Sequence, residues 1–216
     1  MPLRNTVLVV EDHPIFLKGL AHLLSAEAGF FIAATAANRH QALEALDAKH
    51  PDIVLVDLTL GEDSGLELIK DIRFRAPDTR ILVLSMHDER FYAERSLSAG
   101  AHGYCMKEEA ADHIVAALKS VAAGKIWLGP EFTKKNEEFL SSGGWLASVH
   151  KLSDREFQVF TLIGKGLGTV EIAAKLHLSA KTIDTHKENI KVKLACSTTQ
   201  DLRQYAIEWQ MSQAKV

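Results

Sequence analysis

The chain has 216 residues, 47% hydrophobic and 25% charged, with a formal net charge of −3. This is ordinary globular composition, enough for one large domain or two small ones. No apolar run approaches the ~20 residues a membrane helix needs, so no membrane-spanning helix is expected. No basic segment followed by an apolar run opens the chain, so no secretory signal is expected. The two cysteines, Cys105 and Cys196, stand far apart in no metal-ligand spacing, which suits reduced thiols in a cytoplasmic protein. Charge is uneven: residues 1–147 carry −6 and residues 148–216 carry +3. An acidic front and a mildly basic tail suggest two domains with different partners.

From residue 6 to about 123, short apolar strands alternate with amphipathic helices. TVLVV (6–10) precedes a helix over 14–28, with Pro14 suited to its first turn. FFIAATA (30–36) precedes a helix over 39–50. DIVLVD (52–57) precedes one near 64–75, and RILVLS (80–85) one near 88–99. HGYCM (102–106) precedes a helix over 111–124. Five strands in strict alternation with five helices imply an α/β fold: a five-stranded parallel sheet covered on both faces. Right-handed crossovers narrow the topology to a doubly wound sheet of flavodoxin-like order.

Residues 125–150 form a candidate linker, with a short helix in FTKKNEEFL and flexibility at SSGGW. Residues 151–216 read as an all-helical domain. Ser153 and Glu156 fit a capping box, followed by FQVFTLIGKG and its glycine stop. TVEIAAKL (169–176), a turn HLS (177–179) and AKTIDTHKENIKVKL (180–194) come next, then a last helix over about 199–210.

In an open parallel sheet, chemistry collects beyond the carboxyl ends of the strands. Glu11 and Asp12 stand at the end of the first strand, Asp57 at the third, Ser85 at the fourth, and Lys107 directly after the fifth. Each alone has an ordinary role, as a loop cap or a solvated charge. Their conjunction at one sheet edge is the signal. Three converging carboxylates call for a cation, and an oxygen-only donor set selects a hard ion such as Mg2+. An Asp carboxylate can attack phosphorus. A transferring phosphoryl group then needs its oxygens neutralised, by the ion, the Lys107 ammonium and the Ser85 hydroxyl. Dinucleotide binding is disfavoured, because EDHP offers no glycine-rich turn.

Residues 1–124 resemble a response-regulator receiver domain. The carriers are Glu11 and Asp12 after VLVV, Asp57 in DIVLVDL, Gly65, Ser85 after ILVL, and Lys107 in GAHGYCMKEE. The resemblance implies that Asp57 is the phosphoacceptor, charged from a sensor histidine kinase or a small phosphodonor. It implies that Thr59 lends a backbone carbonyl to Mg2+ and that Tyr104 is the aromatic switch. Leu60-Gly61 replaces the family's frequent Met-Pro pair, and Glu108 follows the lysine where Asp is frequent; neither change removes a reactive group.

The helices after residue 168 have helix–turn–helix proportions. His177 stands where glycine is frequent and tolerates a left-handed conformation; Ser179 can cap the second helix. Wound at about 100° per residue, that helix places Ile183, Ile190 and Leu194 on a core stripe beside His186. Lys181, Asp184, Thr185, Glu188 and Val192 take the far face, with Lys187 and Lys191 on one flank. A recognition helix presents such a face to base edges and its lysines to phosphates. Residues 151–210 resemble the LuxR-type helix–turn–helix of NarL/FixJ-family regulators. The match runs through Glu156, Gly166, Ile172, Ala173, Leu178, Ser179, Lys181, Thr182, Ile183, His186, Ile190, Lys193 and Leu194. The implied DNA-contacting set is Lys181, Thr182, Asp184, Thr185, Lys187, Glu188 and Lys191. Asp184 and Glu188 stand where some relatives carry lysine.

The combined reading is a phosphorylation-switched regulator, not an enzyme, that binds double-stranded promoter DNA and forms a homodimer when phosphorylated. Two other classes remain open. The helical domain could contact protein instead of DNA. An aspartyl-phosphate hydrolase is also conceivable, although Thr59 occupies the +2 position where such an enzyme needs a second Asp.

Overall fold

In the computed structural model, the described residues are 5–27, 29–61, 63–130, 132, 145 and 148–213. They fall into two compact units, residues 1–132 and 133–216. In the first, the elements run β1 (Asn5–Val10), α1 (Pro14–Ser25), β2 (Phe30–Ala36), α2 (Arg39–Lys49) and β3 (Ile53–Val56). A two-residue pair, β4 (Thr59–Leu60) and β5 (Asp63–Ser64), follows, then α3 (Gly65–Arg75), β6 (Arg80–Ser85), α4 (Glu89–Ala99), β7 (Gly103–Met106) and α5 (Ala110–Ala122).

The apolar strands do what their sequence requires: β3 and β7 are buried along their whole length, and β1 over residues 7–10. They pair in parallel in the order β2-β1-β3-β6-β7. One face packs Val7, Val9, Ile53, Leu55, Leu82 and Leu84 against Leu20 and Leu24 of α1 and Ile114, Leu118 and Val121 of α5. Pleat alternation sends Leu8, Val54 and Val83 to the other face, and all three are fully buried. The chain order reverses between β1 and β3, so the crevice where ligands gather lies beyond the ends of these two strands.

Several boundaries differ from expectation. α1 stops at Ser25 instead of running to 28, and the Ser25 hydroxyl donates to the His22 carbonyl at 2.8 Å. Between Asp57 and the next helix, β4 and β5 form a small antiparallel hairpin, turned by Gly61 at φ +58°. Gly65 then brings α3 close under the strand end. A Cβ there would lie 2.5 Å from the Asp57 carbonyl oxygen and 2.5 Å from the Leu58 Cα. Residues 125–127, expected in the linker, run beside β7. Trp127 accepts from the Tyr104 amide at 2.9 Å and donates to the His102 carbonyl at 3.1 Å. Gly103 permits the approach, since a Cβ would meet Trp127 at 3.0 Å. Within the rest of the expected linker, residues 131, 133–144, 146 and 147, which take in most of FTKKNEEFL and SSGGW, lie outside the described residues. Cys105 is buried, and burial pushes its thiol up to about 12, so it is inert at neutral pH.

Over residues 148–213 the second unit has a single helical turn, Ser148–Lys151, followed by α6 (Asp154–Gly164), α7 (Thr169–Leu176), α8 (Ala180–Leu194) and α9 (Thr199–Gln213). Ser153 caps α6 in a reciprocal box with Glu156, as its sequence implies. Trp209 of α9 is the anchor of this core, edge-on to Phe157 at 5.3 Å and tilted against Phe160 at 5.8 Å. α9 runs three residues beyond the expected end at 210.

Candidate functional site

β1 delivers Glu11 and Asp12, and β3 delivers Asp57, whose amide bonds the Val10 carbonyl at 3.0 Å. β6 ends in Ser85, and Lys107 opens the single turn after β7. Glu11, Asp57 and Lys107 converge. The Lys107 ammonium lies 2.6 Å from Glu11 Oε2 and 2.8 Å from Asp57 Oδ2, with all three side chains almost fully buried. It also sits 4.7 Å above the Phe16 ring centroid. The cation that three carboxylates demand is therefore supplied in part by the chain itself. Burial holds the Asp57 carboxyl above its ordinary range, opposed by the Lys107 hydrogen bond and the Thr59 amide. That amide donates to Asp57 Oδ1 at 3.1 Å.

Asp12 is placed differently. Its Oδ2 accepts from the Gly61 amide at 3.0 Å, tying β1 to the hairpin turn. Its Oδ1 is buried with no hydrogen-bond donor aligned on it among the described residues, although His13 Nδ1 lies 2.8 Å away. One ligand atom each from Glu11, Asp12, His13 and Asp57 fall within 4.8 Å of one another. A buried oxygen without a donor, beside two further carboxylates, fits a hard divalent cation. His13 adds one nitrogen to that set.

His87, in the turn after β6, joins the remaining groups. Its amide donates to Ser85 Oγ at 3.1 Å, and its carbonyl accepts from the Tyr104 hydroxyl at 2.6 Å. Its ring nitrogen Nε2 meets Thr59 Oγ1 at 3.0 Å, and the ring stacks on Tyr92 with centroids 4.4 Å apart. Tyr104 also hydrogen-bonds Ser85, and burial pushes its hydroxyl well above the usual tyrosine range. Tyr104 is fully buried. Sequence reasoning does not single out His13, Phe16 or His87. His13 directly follows the two acids, which is a usable signal; His87 and Phe16 carry no local one.

In the second unit, His177 adopts the left-handed conformation at φ +52°, and Ser179 accepts from the Thr182 amide at 3.1 Å. The turn and cap thus follow the sequence pattern. α8 buries Ile183, Ile190 and Leu194 and exposes Lys181, Asp184, Thr185, Glu188 and Val192. The expected phosphate-contacting lysines are both engaged within the domain. Lys187 donates to Thr169 Oγ1, and Lys191 pairs with Glu188 at 2.8 Å. Thr182 shares a hydroxyl contact with Ser179 at 2.8 Å. α8 is also locked to α6 by Lys193, whose ammonium lies 2.6 Å from Glu156 Oε2. That pair holds the Glu156 carboxyl below its usual range: burial acts upward, and Lys193 and the Ser153 cap together outweigh it.

Two families match this chain. "Response regulator receiver domain" covers residues 7–119, and "Bacterial regulatory proteins, luxR family" covers residues 150–206. Similar proteins include the transcriptional regulatory protein MctR of Rhizobium johnstonii, 34% identical over 94% of this chain and 92% of that protein. The oxygen regulatory protein NreC of Staphylococcus carnosus is 31% identical over 94% of this chain and 96% of its own. Among solved structures, RcsB from Salmonella enterica serovar Typhimurium, bound to promoter rprA in the presence of the phosphomimetic BeF3−, superposes with a TM-score of 0.74. It is 25% identical, covering 94% of this chain and 98% of that one. No helix among the described residues is long and apolar enough to cross a membrane. A receiver domain and a LuxR-type DNA-binding domain in one chain make it a member of the NarL/FixJ family of two-component response regulators, a family of transcription regulators.

Proposed function

We propose that Asp57 accepts a phosphoryl group from a sensor histidine kinase, and that this controls dimerisation and promoter binding by residues 151–216. The observation that carries the reading is the buried Lys107 ammonium held between Asp57 and Glu11, at 2.8 and 2.6 Å. An Asp oxygen attacks phosphorus, the P–O bond forms, and the P–N bond to the donor imidazole breaks. The departing nitrogen takes its proton from solvent. Lys107 stays near the acceptor and offsets charge on a phosphoryl oxygen, and Ser85 offers its hydroxyl to another. Glu11, Asp12, Asp57 and the Thr59 carbonyl would hold Mg2+, which when bound neutralises a phosphoryl oxygen.

A phosphoryl oxygen that takes the Ser85 hydroxyl proton competes with the Tyr104 oxygen, whose own proton is given to the His87 carbonyl, while the His87 amide still donates to Ser85 Oγ. The turn after β6 therefore registers the state of Asp57, and its packing on α4 through Tyr92 carries the change outward. The receiver is assigned to residues 1–124 and the DNA-binding domain to 151–216. The net charge of +3 on residues 148–216 makes one copy a weak DNA ligand. Pairing two copies raises affinity through effective concentration. RcsB, at 25% identity, has been solved bound to promoter DNA in the presence of a phosphomimetic. The test is a duplex-binding titration of the full chain with and without acetyl phosphate and Mg2+, across a salt series. Tighter binding on phosphorylation, weakening steeply with salt, is expected. Binding indifferent to both would remove the reading and leave the helical domain as a protein-contacting module.

A further inference from the structure

Within the proposed DNA interface, on which this inference rests, the exposed face of α8 is chemically uneven. Asp184 is turned toward its own domain, with its Oδ1 3.5 Å from the Thr169 hydroxyl. Thr185 donates its hydroxyl proton to the Lys181 carbonyl at 3.0 Å, which leaves its methyl and an acceptor lone pair outward. Glu188 is different. Its side chain is 68% exposed, and Lys191, one turn further on, pairs with its Oε2 at 2.8 Å. That contact orients the carboxylate along the helix and leaves Oε1 for a donor. Val192, the next residue on the same stripe, is 81% exposed. An exposed apolar side chain at that place is free to pack against a thymine methyl.

We infer that Glu188 reads the DNA sequence: it accepts a hydrogen bond from an exocyclic amino group in the major groove, cytosine N4 first, while Val192 covers the methyl of a neighbouring thymine. A carboxylate has acceptors only, so it is repelled by the O6 and N7 acceptors that guanine presents and by the O4 of thymine. In the major groove, cytosine N4 has one acceptor beside it, the O6 of its paired guanine, whereas adenine N6 lies between its own N7 and the O4 of its paired thymine. The chemistry thus selects a cytosine, adenine second, with thymine beside it. The lysines that relatives carry at such positions would select the opposite face of the base pair, guanine.

The test is enrichment of randomised duplexes by the full-length chain, with and without acetyl phosphate, for wild type, Glu188→Gln, Glu188→Ala and Val192→Ala. The side chains altered are exposed, and circular dichroism is to check that each variant folds. The wild-type motif should contain a cytosine-led position that discriminates by roughly fivefold or more. Glu188→Ala should flatten that position alone. Glu188→Gln should move it toward adenine, since an amide can pair with both N6 and N7. Replacing the adjacent thymine by uracil should weaken wild type and leave Val192→Ala unchanged. A wild-type motif that Glu188→Ala leaves intact would overturn the inference while DNA binding itself stands. Failure of the wild type to enrich any duplex would overturn both.

Discussion

Replacing Lys107 with methionine removes the ammonium that lies between two buried carboxylates and keeps most of the side chain's volume. Glu11 and Asp57 would then face each other with no cation, each almost fully buried. Deleting one partner of a buried ion pair typically costs about 3–5 kcal/mol. The protein has a cheaper escape, which is to protonate one carboxyl. From an ordinary Asp value, that costs about 4 kcal/mol at pH 7, at about 1.4 kcal/mol per pH unit. Burial already holds the Asp57 carboxyl above its ordinary value, so the expected loss lies below that figure. The sign follows from proton counting. In the variant, the native state binds a proton that the unfolded state lacks at neutral pH, so its stability rises as pH falls toward 5. Urea unfolding of the full chain in a chelator, followed by hydrogen exchange of peptides from residues 1–132, reads the loss for this unit. Millimolar Mg2+ should restore part of it. A loss under about 0.5 kcal/mol, or one that does not shrink with falling pH, would refute the picture of Lys107 as the pocket's resident counter-charge.

Two further outcomes follow from other contacts. Glu156→Gln keeps the shape of the α6 cap and cancels the charge facing Lys193, which is partly exposed, so the cost at pH 7 should be about 1–2 kcal/mol. Because the Glu156 carboxyl is held below its usual range, the wild-type advantage is present above the unfolded carboxyl's pKa. It is lost as pH falls through the folded value; thermal unfolding between pH 7 and pH 3 checks this, and a pH-independent difference contradicts it. Gly65→Ala must displace backbone at the phosphoacceptor strand, where its Cβ would lie 2.5 Å from the Asp57 carbonyl oxygen. It should cost about 1–3 kcal/mol and slow labelling by acetyl phosphate; unchanged labelling would show that the strand end tolerates the shift.

The parts of the fold that are legible in the sequence are those governed by short-range pattern. Continuous apolar runs give buried parallel strands, and the residues ending them, Glu11, Asp57, Ser85 and Lys107, must gather at one edge once the sheet is parallel. Ser153, His177 and Ser179 are legible because a cap or a left-handed residue is a local requirement. What is not legible depends on reach across the fold. The β4–β5 hairpin has strands of two residues, too short for periodicity to register. The role of Lys107 as a bridge to Glu11 depends on where two side chains end, one following the first strand of the sheet and the other the last. The His87 junction is made largely by its backbone amide and carbonyl, which no residue type announces. Lys193 reads as an exposed helix lysine until α6 brings Glu156 beneath it. Gly103 shows its purpose only when Trp127 returns to lie beside it.

The measurement closest to the central claim is intact mass after incubation with Mg2+ and a small phosphodonor, on wild type and Asp57→Asn. Duplex binding is then read on the same samples. The account predicts one added phosphoryl group on wild type, none on Asp57→Asn, and tighter DNA binding only where the group was gained. A phosphoryl group on the Asp57→Asn variant, or one on wild type that leaves DNA binding unchanged, would contradict it.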